Sequence, residues 1–299
     1  VRLGRVGDRL VATSIQRGAG VVMSMVKADG LLLIPRFSEG VETGATVQVD
    51  LLRPQEEIDR TTVVIGSHDV TLDLLASELH RSNPLLFLAS SNVGSLGGLL
   101  AIKRGDAHMA GSHLLDERTG EYNLSFVKKY LEGTDVVLVN LVRRVQGLIV
   151  RPGNPKSVAT LEDLSRKDVS YVNRQRGSGT RVLLDYLISQ KCLQSSEIQG
   201  YQREEYTHLG VAAAIAGGRA DAGMGVLSAA RALNMDFIPL HNEQFDLVVP
   251  MEYFDGELVT PVINIIRTSE FRKKVEALGG YDTSGTGEVI SVITKSTES

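Results

Sequence analysis

Two stretches far apart in the chain, AIKRGDAHMAG at 101–111 and AIAGGRADAG at 214–223, follow one pattern: Ala-Ile, a Gly three residues after the Ile, and an Ala two residues after that Gly. Each reads as a helix that ends at glycine and turns tightly into a strand of small residues, since glycine accepts the left-handed conformation that closes many helices. Upstream of each copy lies a strand, a Ser/Gly loop and a helix: VVIGSHDVTLDLL in the first case, VSYVNRQRGSGTRVLLDYL in the second. A chain that repeats such a unit is constrained to two similar lobes, each a mostly parallel sheet covered by helices.

The rest of the sequence fits around that duplication. From Thr61, TTVVIG is a strand candidate, SHDVTLDLLASELHR a helix with Val70, Leu74, Leu75 and Leu79 on one face, PLLFLAS a strand, and GGLLAIKRG a short helix behind the loop SNVGS. AHMAGSHLL and DVVLVNLVRRVQGLIV are further buried strands, and the NPKSVATLEDLSRK stretch predicts a helix capped by Ser157 or Thr160. Residues 1–53 differ: VGDRLVATSI, GVVMSMVKADGLLLIP and GATVQVDLL are short β-branched runs between Gly-rich turns, the pattern of a small all-β module. PQEEIDR after them is polar and charged and reads as a linker. The expected organisation is a small β domain over residues 1–53, a linker over 54–60, and a two-lobed α/β domain over 61–299. Lobe 1 comprises 61–142 and 243–299, and lobe 2 comprises 143–242, with crossings near Leu141–Gln146 and Phe237–Asn242.

With 299 residues, the chain is long enough for two or three compact units. Its formal net charge of −4 gives no global attraction to nucleic acid or acidic membranes, and no apolar run reaches the roughly 18 residues of a spanning helix. One cysteine, Cys192, excludes an intrachain disulfide and fits a reducing compartment. The opening at Val1, without a signal-peptide pattern and directly in strand-like sequence, predicts a piece of a longer protein.

Against that acidic background, RQRGSGTR at 174–181 is a local basic feature between strand and helix. The first N–H groups of a helix lack intrahelical partners and carry the positive end of its dipole, so a Gly-Ser-Gly-Thr turn there offers backbone donors and two hydroxyls to an anion. Gly179 allows close approach, Ser178 and Thr180 donate without bulk, and Arg174 or Arg176 adds fixed positive charge. Ligands of open α/β sheets sit at the carboxyl ends of the strands, so two facing lobes would close four loops around one small anion: those of Ser67, of Ser91 and Ser95, of 174–180, and of Thr207. Ser or Thr ahead of a helix is also an ordinary N-cap, worth about 1 kcal/mol, and for Thr207 and Ser67 that reading stands beside ligand contact. Ser178 and Thr180 favour ligand contact, because capping needs one hydroxyl and this loop supplies two beside three arginines.

Catalytic readings find less support. Ser67, His68 and Asp69 have the composition of a hydrolase triad, but three consecutive residues cannot form the serial hydrogen bonds it needs. His108, His113 and Asp116 fall at spacings that point to different faces, which argues against a metal. Glu121, Tyr122 and Asn123 read as a lobe-connecting contact or a helix start, and Cys192 has no base nearby. No catalytic residue, metal ligand or covalently bound cofactor is expected.

Taken together, GSHDVTLDLLASEL, SNVGSLGGLLAIKRGDAHMAGSHLLDERTGEYN, RRVQGLIVRPGNPK, NRQRGSGTR, THLGVAAAIAGGRADAGMG and GYDTSGTGE resemble the periplasmic-binding-protein-like domain found attached to molybdenum-cofactor biosynthesis proteins and to some transcriptional regulators. This resemblance, of type 2 periplasmic-binding-protein fold, covers roughly residues 61–290. Residues 1–53 are similar to the small C-terminal β domain of molybdopterin molybdenumtransferase. The resemblance implies a cytoplasmic domain that binds molybdate or tungstate beside the cofactor-synthesis machinery, with proteins of that pathway as partners. NRQRGSGT is also similar to the serine–glycine–threonine loop of tungstate-binding proteins, with Arg174 four residues before Ser178. The Gly-rich catalytic domain of the transferase family is not in these 299 residues, so its activity is not assigned to them.

Two uses of the socket remain open: an oxyanion-binding module, and a sensor or enzyme domain for a larger anionic ligand such as a pterin phosphate, for which Arg143 and Arg144 would serve if they are not hinge salt bridges. Dimerisation through residues 1–53 is compatible with either. On this reading Ser178→Ala and Arg174→Ala each weaken oxyanion binding in calorimetry while leaving the apo melting temperature nearly unchanged; large destabilisation by both would make them structural.

Overall fold

The computed structural model describes residues 1–15, 28–38 and 40–295. The first half of the expected strand run GVVMSMVKADGLLLIP, residues 20–27, lies outside the described residues. The N-terminal module is built on a hairpin of β1 (Arg2–Val6) and β2 (Arg9–Thr13), joined by a tight turn in which Gly7 takes φ 56°, a left-handed value that glycine adopts at little cost. Two short strands, β3 (Gly30–Leu31) and β4 (Asp50–Leu51), pair with each other. Asp29 fastens these pieces. It is buried and accepts from the Leu3 backbone N–H at 2.9 Å, from Arg2 Nε at 2.9 Å and from Arg53 Nη1 at 2.8 Å.

Where the sequence suggests a linker, helix α1 (Gln55–Asp59) follows Pro54 and buries Ile58 completely. One apolar residue in a polar stretch is enough to pin it, so the module is packed onto the next strand, β5 (Thr61–Gly66), rather than tethered to it. Gly4 of β1 approaches β5 so closely that a Cβ there would overlap Val63. Arg9 donates to the carbonyls of Arg104 and Gly105 at 2.6 and 2.8 Å, and Arg5 pairs with Asp59 at 2.8 Å.

Two lobes follow. The first contains β5, α2 (Val70–Ser82), β6 (Phe87–Asn92), α3 (Ser95–Arg104), β7 (Ala110–Ser112) and α4 (Leu124–Tyr130). The chain then enters β8 (Val136–Val150), passes through β9 (Tyr171–Arg174), α5 (Gly179–Gln190), β10 (Glu204–Glu205), α6 (His208–Ala216), β11 (Ala222–Val226) and α7 (Leu227–Ala232), and returns along β12 (Asp236–Pro250). Helices α8 (Met251–Phe254), α9 (Thr260–Ile266) and α10 (Ser269–Leu278) and strands β13 (Tyr281–Asp282) and β14 (Val289–Ile293) complete the first lobe.

In the first lobe β5 pairs parallel with β6 and touches β7 at Val64–Met109, and β7 pairs with β12. In the second, β9 pairs parallel with β10 and β11, and β11 runs antiparallel to β8. All six residues of β5 and all five of β11 are buried, as strands covered on both faces must be.

Strands β8 and β12 pair with each other along their lengths and hold the lobes together. At about 3.3 Å per residue, a fifteen-residue strand spans about 50 Å, longer than one lobe needs. Their apolar residues therefore serve two sets of cores: Val137, Val139, Phe245 and Leu247 pack with α2, α9 and α10, whereas Leu148, Val150 and Ile149 pack with α5, α6 and β11. Between them Arg143 is exposed, and register shifts at Pro239/His241 and Phe245/Asp246 bend β12. The architecture is thus the two-lobed α/β fold, preceded by small β strands, that the duplication predicts. Among the described residues no helix is long and apolar enough to cross a membrane.

The helix expected after Asn154 does not form. Only a 3₁₀ turn over Glu162–Ser165 is present, because the Asp163 carboxylate accepts from the Ala159 and Thr160 N–H groups at 2.8 and 3.0 Å and closes a local turn instead.

The echo has a mechanical meaning. Gly105 and Gly218 take φ 70° and 71°. Gly105 N–H donates to Ile102 O and Asp106 N–H to Ala101 O, both at 2.9 Å; Gly218 N–H donates to Ile215 O at 3.0 Å and Arg219 N–H to Ala214 O at 2.9 Å. These are twin helix terminations of the Schellman kind, and the next strand enters at the same point each time, with His108 N–H bonded to Val63 O and Asp221 N–H to Ser170 O. At Gly218 a Cβ would meet open space, so Gly218→Ala isolates the backbone cost: urea unfolding should show a loss of about 1–2 kcal/mol with unchanged fold.

Candidate functional site

The first lobe builds its half of the cleft from two close backbone approaches. Gly66 ends β5 against Gly111 of β7, and a Cβ on Gly111 would press on Ser67 and Phe245. Ser67 N–H donates to Gly111 O at 2.9 Å. This carries Ser67 to the point where β5 turns into α2, while Asp69 caps α2 by accepting from Thr71 N–H at 2.9 Å. Ser95 opens α3 behind Gly94, and its Oγ lies 2.9 Å from Ser67 Oγ.

His113, just past β7, closes this arrangement. Its backbone N–H donates to Ser95 Oγ at 3.1 Å, its Nε2 lies 2.9 Å from Ser67 Oγ, and its Nδ1 lies 2.6 Å from Glu243 Oε1. Glu243 Oε2 accepts from Arg144 Nε at 2.6 Å and from Gln146 Nε2 at 2.8 Å. Arg144 also donates through Nη1 to Asp69, which in turn accepts from Tyr281 OH at 3.1 Å. Gln146 Nε2 reaches Thr180 Oγ1 at 3.1 Å, so the network crosses into the second lobe. There the head of α5 rests on His113: a Cβ on Gly179 would overlap the imidazole. The lobes are closed, with Phe245 stacked on His113 at 5.6 Å and Arg144 over the Phe245 ring at 5.0 Å.

The electrostatics of this cluster point to something unsupplied. Burial pushes the Glu243 carboxyl upward, but the Arg144 charge and the His113 and Gln146 contacts outweigh it and hold Glu243 well below the usual carboxylate range. Arg174 is buried, and desolvation with the Arg144 charge lowers it to about 10. Burial and then the Arg174 and Arg144 charges push His208 well below its ordinary value. Two guanidiniums thus lie within electrostatic range of each other, and each keeps a buried N–H without a partner: Arg144 Nη2 and Arg174 Nε. His208 Nδ1 and Gln146 Oε1 are buried and unpartnered as well. Each such group costs about 1–3 kcal/mol, more when charged.

Of the residues singled out by sequence, Ser67, Ser95, Arg174, Gly179 and Thr180 enter this cluster. Ser178 adjoins it as the N-cap of α5, accepting from Arg181 N–H at 3.3 Å, so its loss also costs helix stability. Ser91, Arg176 and Thr207 do not enter. Ser91 Oγ donates to Thr13 Oγ1 at 2.6 Å, toward the β module. Arg176 is exposed and donates to Gln202 at 3.1 Å. Thr207 caps α6, accepting from Gly210 N–H at 2.8 Å, which is the plain capping role. Sequence reasoning missed Asp69, Gln146, His208 and Glu243 as site residues and set His113 aside with His108. His108 lies elsewhere, accepting from Val63 N–H at 3.0 Å, and burial lowers it to about 4. Among the described residues no group of three His, Cys, Asp or Glu side chains is arranged to hold a metal ion.

Comparison with known proteins places the fold. A family model described as a PBP superfamily domain matches residues 76–267, and one described as the MoeA C-terminal region (domain IV) matches residues 1–52. The protein YvgK of Bacillus subtilis (strain 168) is 36% identical over 231 residues, 77% of this chain and 74% of that protein. The same fold is found in a putative phosphate ABC transporter substrate-binding protein with bound phosphate from Clostridium perfringens, at TM-score 0.55 and 14% identity over 73% of this chain and 97% of that one. It is found again in the tungstate ABC transporter from Geobacter sulfurreducens, at TM-score 0.54 and 14% identity over 73% and 98%.

Removing the central cation tests the cluster. Arg144→Met leaves Asp69 and Glu243 buried and uncompensated, and urea unfolding should show a loss of about 3–5 kcal/mol. In the unaltered chain the unfolded state takes up the Glu243 proton first as pH falls, so stability is held above about pH 4 and declines below it.

Proposed function

The chain belongs to the PBP superfamily, and from that premise we infer that it binds a small tetrahedral oxyanion, molybdate or tungstate, between its lobes. One observation carries this reading. Arg144 Nη2 and Arg174 Nε are buried, positively charged, unpaired and within range of each other, and an anion between them relieves both the repulsion and the missing hydrogen bonds. The hydroxyls of Ser67, Ser95 and Thr180 and the first-turn N–H groups of the twelve-residue α5 add neutral donors. The two carboxylates of the cluster are already engaged, Asp69 by Arg144 and Tyr281, Glu243 by Arg144, His113 and Gln146. They need nothing from a ligand.

The match of residues 1–52 to the MoeA C-terminal region supports a place for this binding in molybdenum-cofactor synthesis, with the domain presenting the metal oxyanion to, or sensing it for, proteins of that pathway. A protonated oxyanion such as hydrogen phosphate is the second reading, favoured by Gln146 Oε1, a buried acceptor without a donor. A larger pterin phosphate is not favoured by a closed cleft in which Gly179 already rests on His113.

Calorimetry with molybdate, tungstate, sulfate and phosphate tests the reading: micromolar or tighter binding of molybdate or tungstate is expected, roughly 8 kcal/mol, and no heat with any of the four refutes it. Arg174→Ala should weaken binding at least tenfold. Gly179→Ala, whose Cβ overlaps His113 in the closed arrangement, should weaken it similarly, and small-angle X-ray scattering should show no contraction of this variant on adding molybdate where the unaltered chain contracts.

A further inference from the structure

His113 sits at the centre of the cluster, and the direction of its hydrogen bonds gives it a task. An ionised Glu243 carboxylate can only accept, so His113 Nδ1, 2.6 Å from it, carries a hydrogen. The state of Nε2 is then the one variable. With the imidazole neutral, Nε2 is bare and takes the hydroxyl hydrogen of Ser67, 2.9 Å away. Ser67 then turns only lone pairs toward the cleft, which suits a ligand that brings its own O–H and opposes one that brings only oxyanion oxygens. With the imidazole protonated, Nε2–H donates to Ser67 Oγ and the Ser67 hydrogen is released to the ligand. Ser95 follows, since its Oγ accepts from His113 N–H at 3.1 Å and no longer has to donate to Ser67.

The charges agree. The imidazole is packed between Phe245 of β12 and Gly179 of α5. The charged and titratable groups around it are Glu243 on β12, Arg144 on β8, Asp69 at the head of α2, Arg174 on β9 and His208 on α6; Tyr281 on β13, Tyr122, and His241 of β12 lie in range of these, and burial raises the two phenols and lowers His241. Two guanidinium charges offset two carboxylate charges, and burial keeps His208 neutral. The surroundings of His113 therefore hold no formal net charge.

We propose that His113 is a specificity-determining residue of the cleft: a fully ionised tetrahedral dianion is captured together with one proton, which His113 takes up and which turns Ser67 and Ser95 into donors. A hydrogen oxyanion carries that proton already and is captured without uptake. In either complex three hydrogens fill the three links of the chain Glu243–His113–Ser67–ligand, one in each. The inference rests on the oxyanion reading above.

The test is calorimetry of the whole chain with molybdate and with phosphate at pH 8, each in two non-coordinating buffers of different ionisation enthalpy. Uptake approaching one proton is expected with molybdate and near zero with hydrogen phosphate, and the molybdate Kd should rise as pH rises. His113→Gln should remove the buffer dependence and flatten the pH profile. Molybdate binding without buffer dependence and with a flat profile overturns the inference and leaves the oxyanion reading standing. Binding of neither anion at any pH overturns both. The buffer comparison on the unaltered protein decides the matter even if His113→Gln does not fold.

Discussion

The buried contact of Arg144 with Asp69 and Glu243 is the constraint on which the rest of the cleft depends. Arg144 is among the largest fully buried side chains, and taking three charges out of water costs several kcal/mol per ion unless each finds close partners. It does so by reaching from its own strand β8 to the head of α2 through Asp69 and to strand β12 through Glu243. Those elements meet where β8 and β12 leave one core for the other. The ion pairs thereby fix where Ser67 stands relative to the hinge strands, and through Glu243 they fix the ring of His113. The second lobe closes onto that prepared surface with small groups, Gly179 and Thr180, that fit against an imidazole and an amide.

The fold was legible because its constraints are local. A glycine with φ near 70° after a helix can be read from a handful of residues, and finding it twice, at Gly105 and Gly218, was enough to imply two lobes. The long apolar runs of β5 and β8 carry the same kind of information. Where reading failed, a short-range competitor won. Asp163 captured the backbone donors of a stretch with helical composition, and Ile58 turned a charged segment into a packed helix.

The site was legible only in part, for the opposite reason. Strand-to-helix loops announce their hydroxyls and glycines, so Ser67, Ser95, Gly179 and Thr180 could be named from sequence. Whether such a loop faces the cleft is decided by tertiary neighbours: Ser91 has the same local signature and turns to Thr13 of the β module, and Thr207 spends its hydroxyl on Gly210. His113 and Glu243 are 130 positions apart, and Arg144 and Asp69 are 75 apart. No window of sequence holds either pair. The one usable signal was a run of strand residues, VNLVRRVQGLIV, with two arginines and a glutamine inside otherwise apolar sequence, because polar groups in a strand buried on both faces must be paired for a purpose.

The N-terminal module is attached to one half of the molecule. Its contacts run to the first lobe: Thr13 meets Ser91, Arg2 donates to Leu88 O, Arg9 reaches Arg104 and Gly105, and Gly4 lies on Val63. Strand β6 and helix α3, which receive these contacts, also flank the short loop between Asn92 and Ser95, the first residue of α3. The module and the donors of the first lobe therefore form one body, anchored by packing and by the Arg144 ion pairs. The strands that join the lobes have the features of a bend: Arg143 in solvent, and two register shifts in β12 flanking Glu243. A cleft built this way ties Arg144 through Asp69 and Glu243 to the body that carries the module, and brings Arg174 and the glycine-rich loop to it from the second lobe. That division suits a site whose selectivity lies in preset charges and hydrogen-bond directions rather than in an adjustable wall.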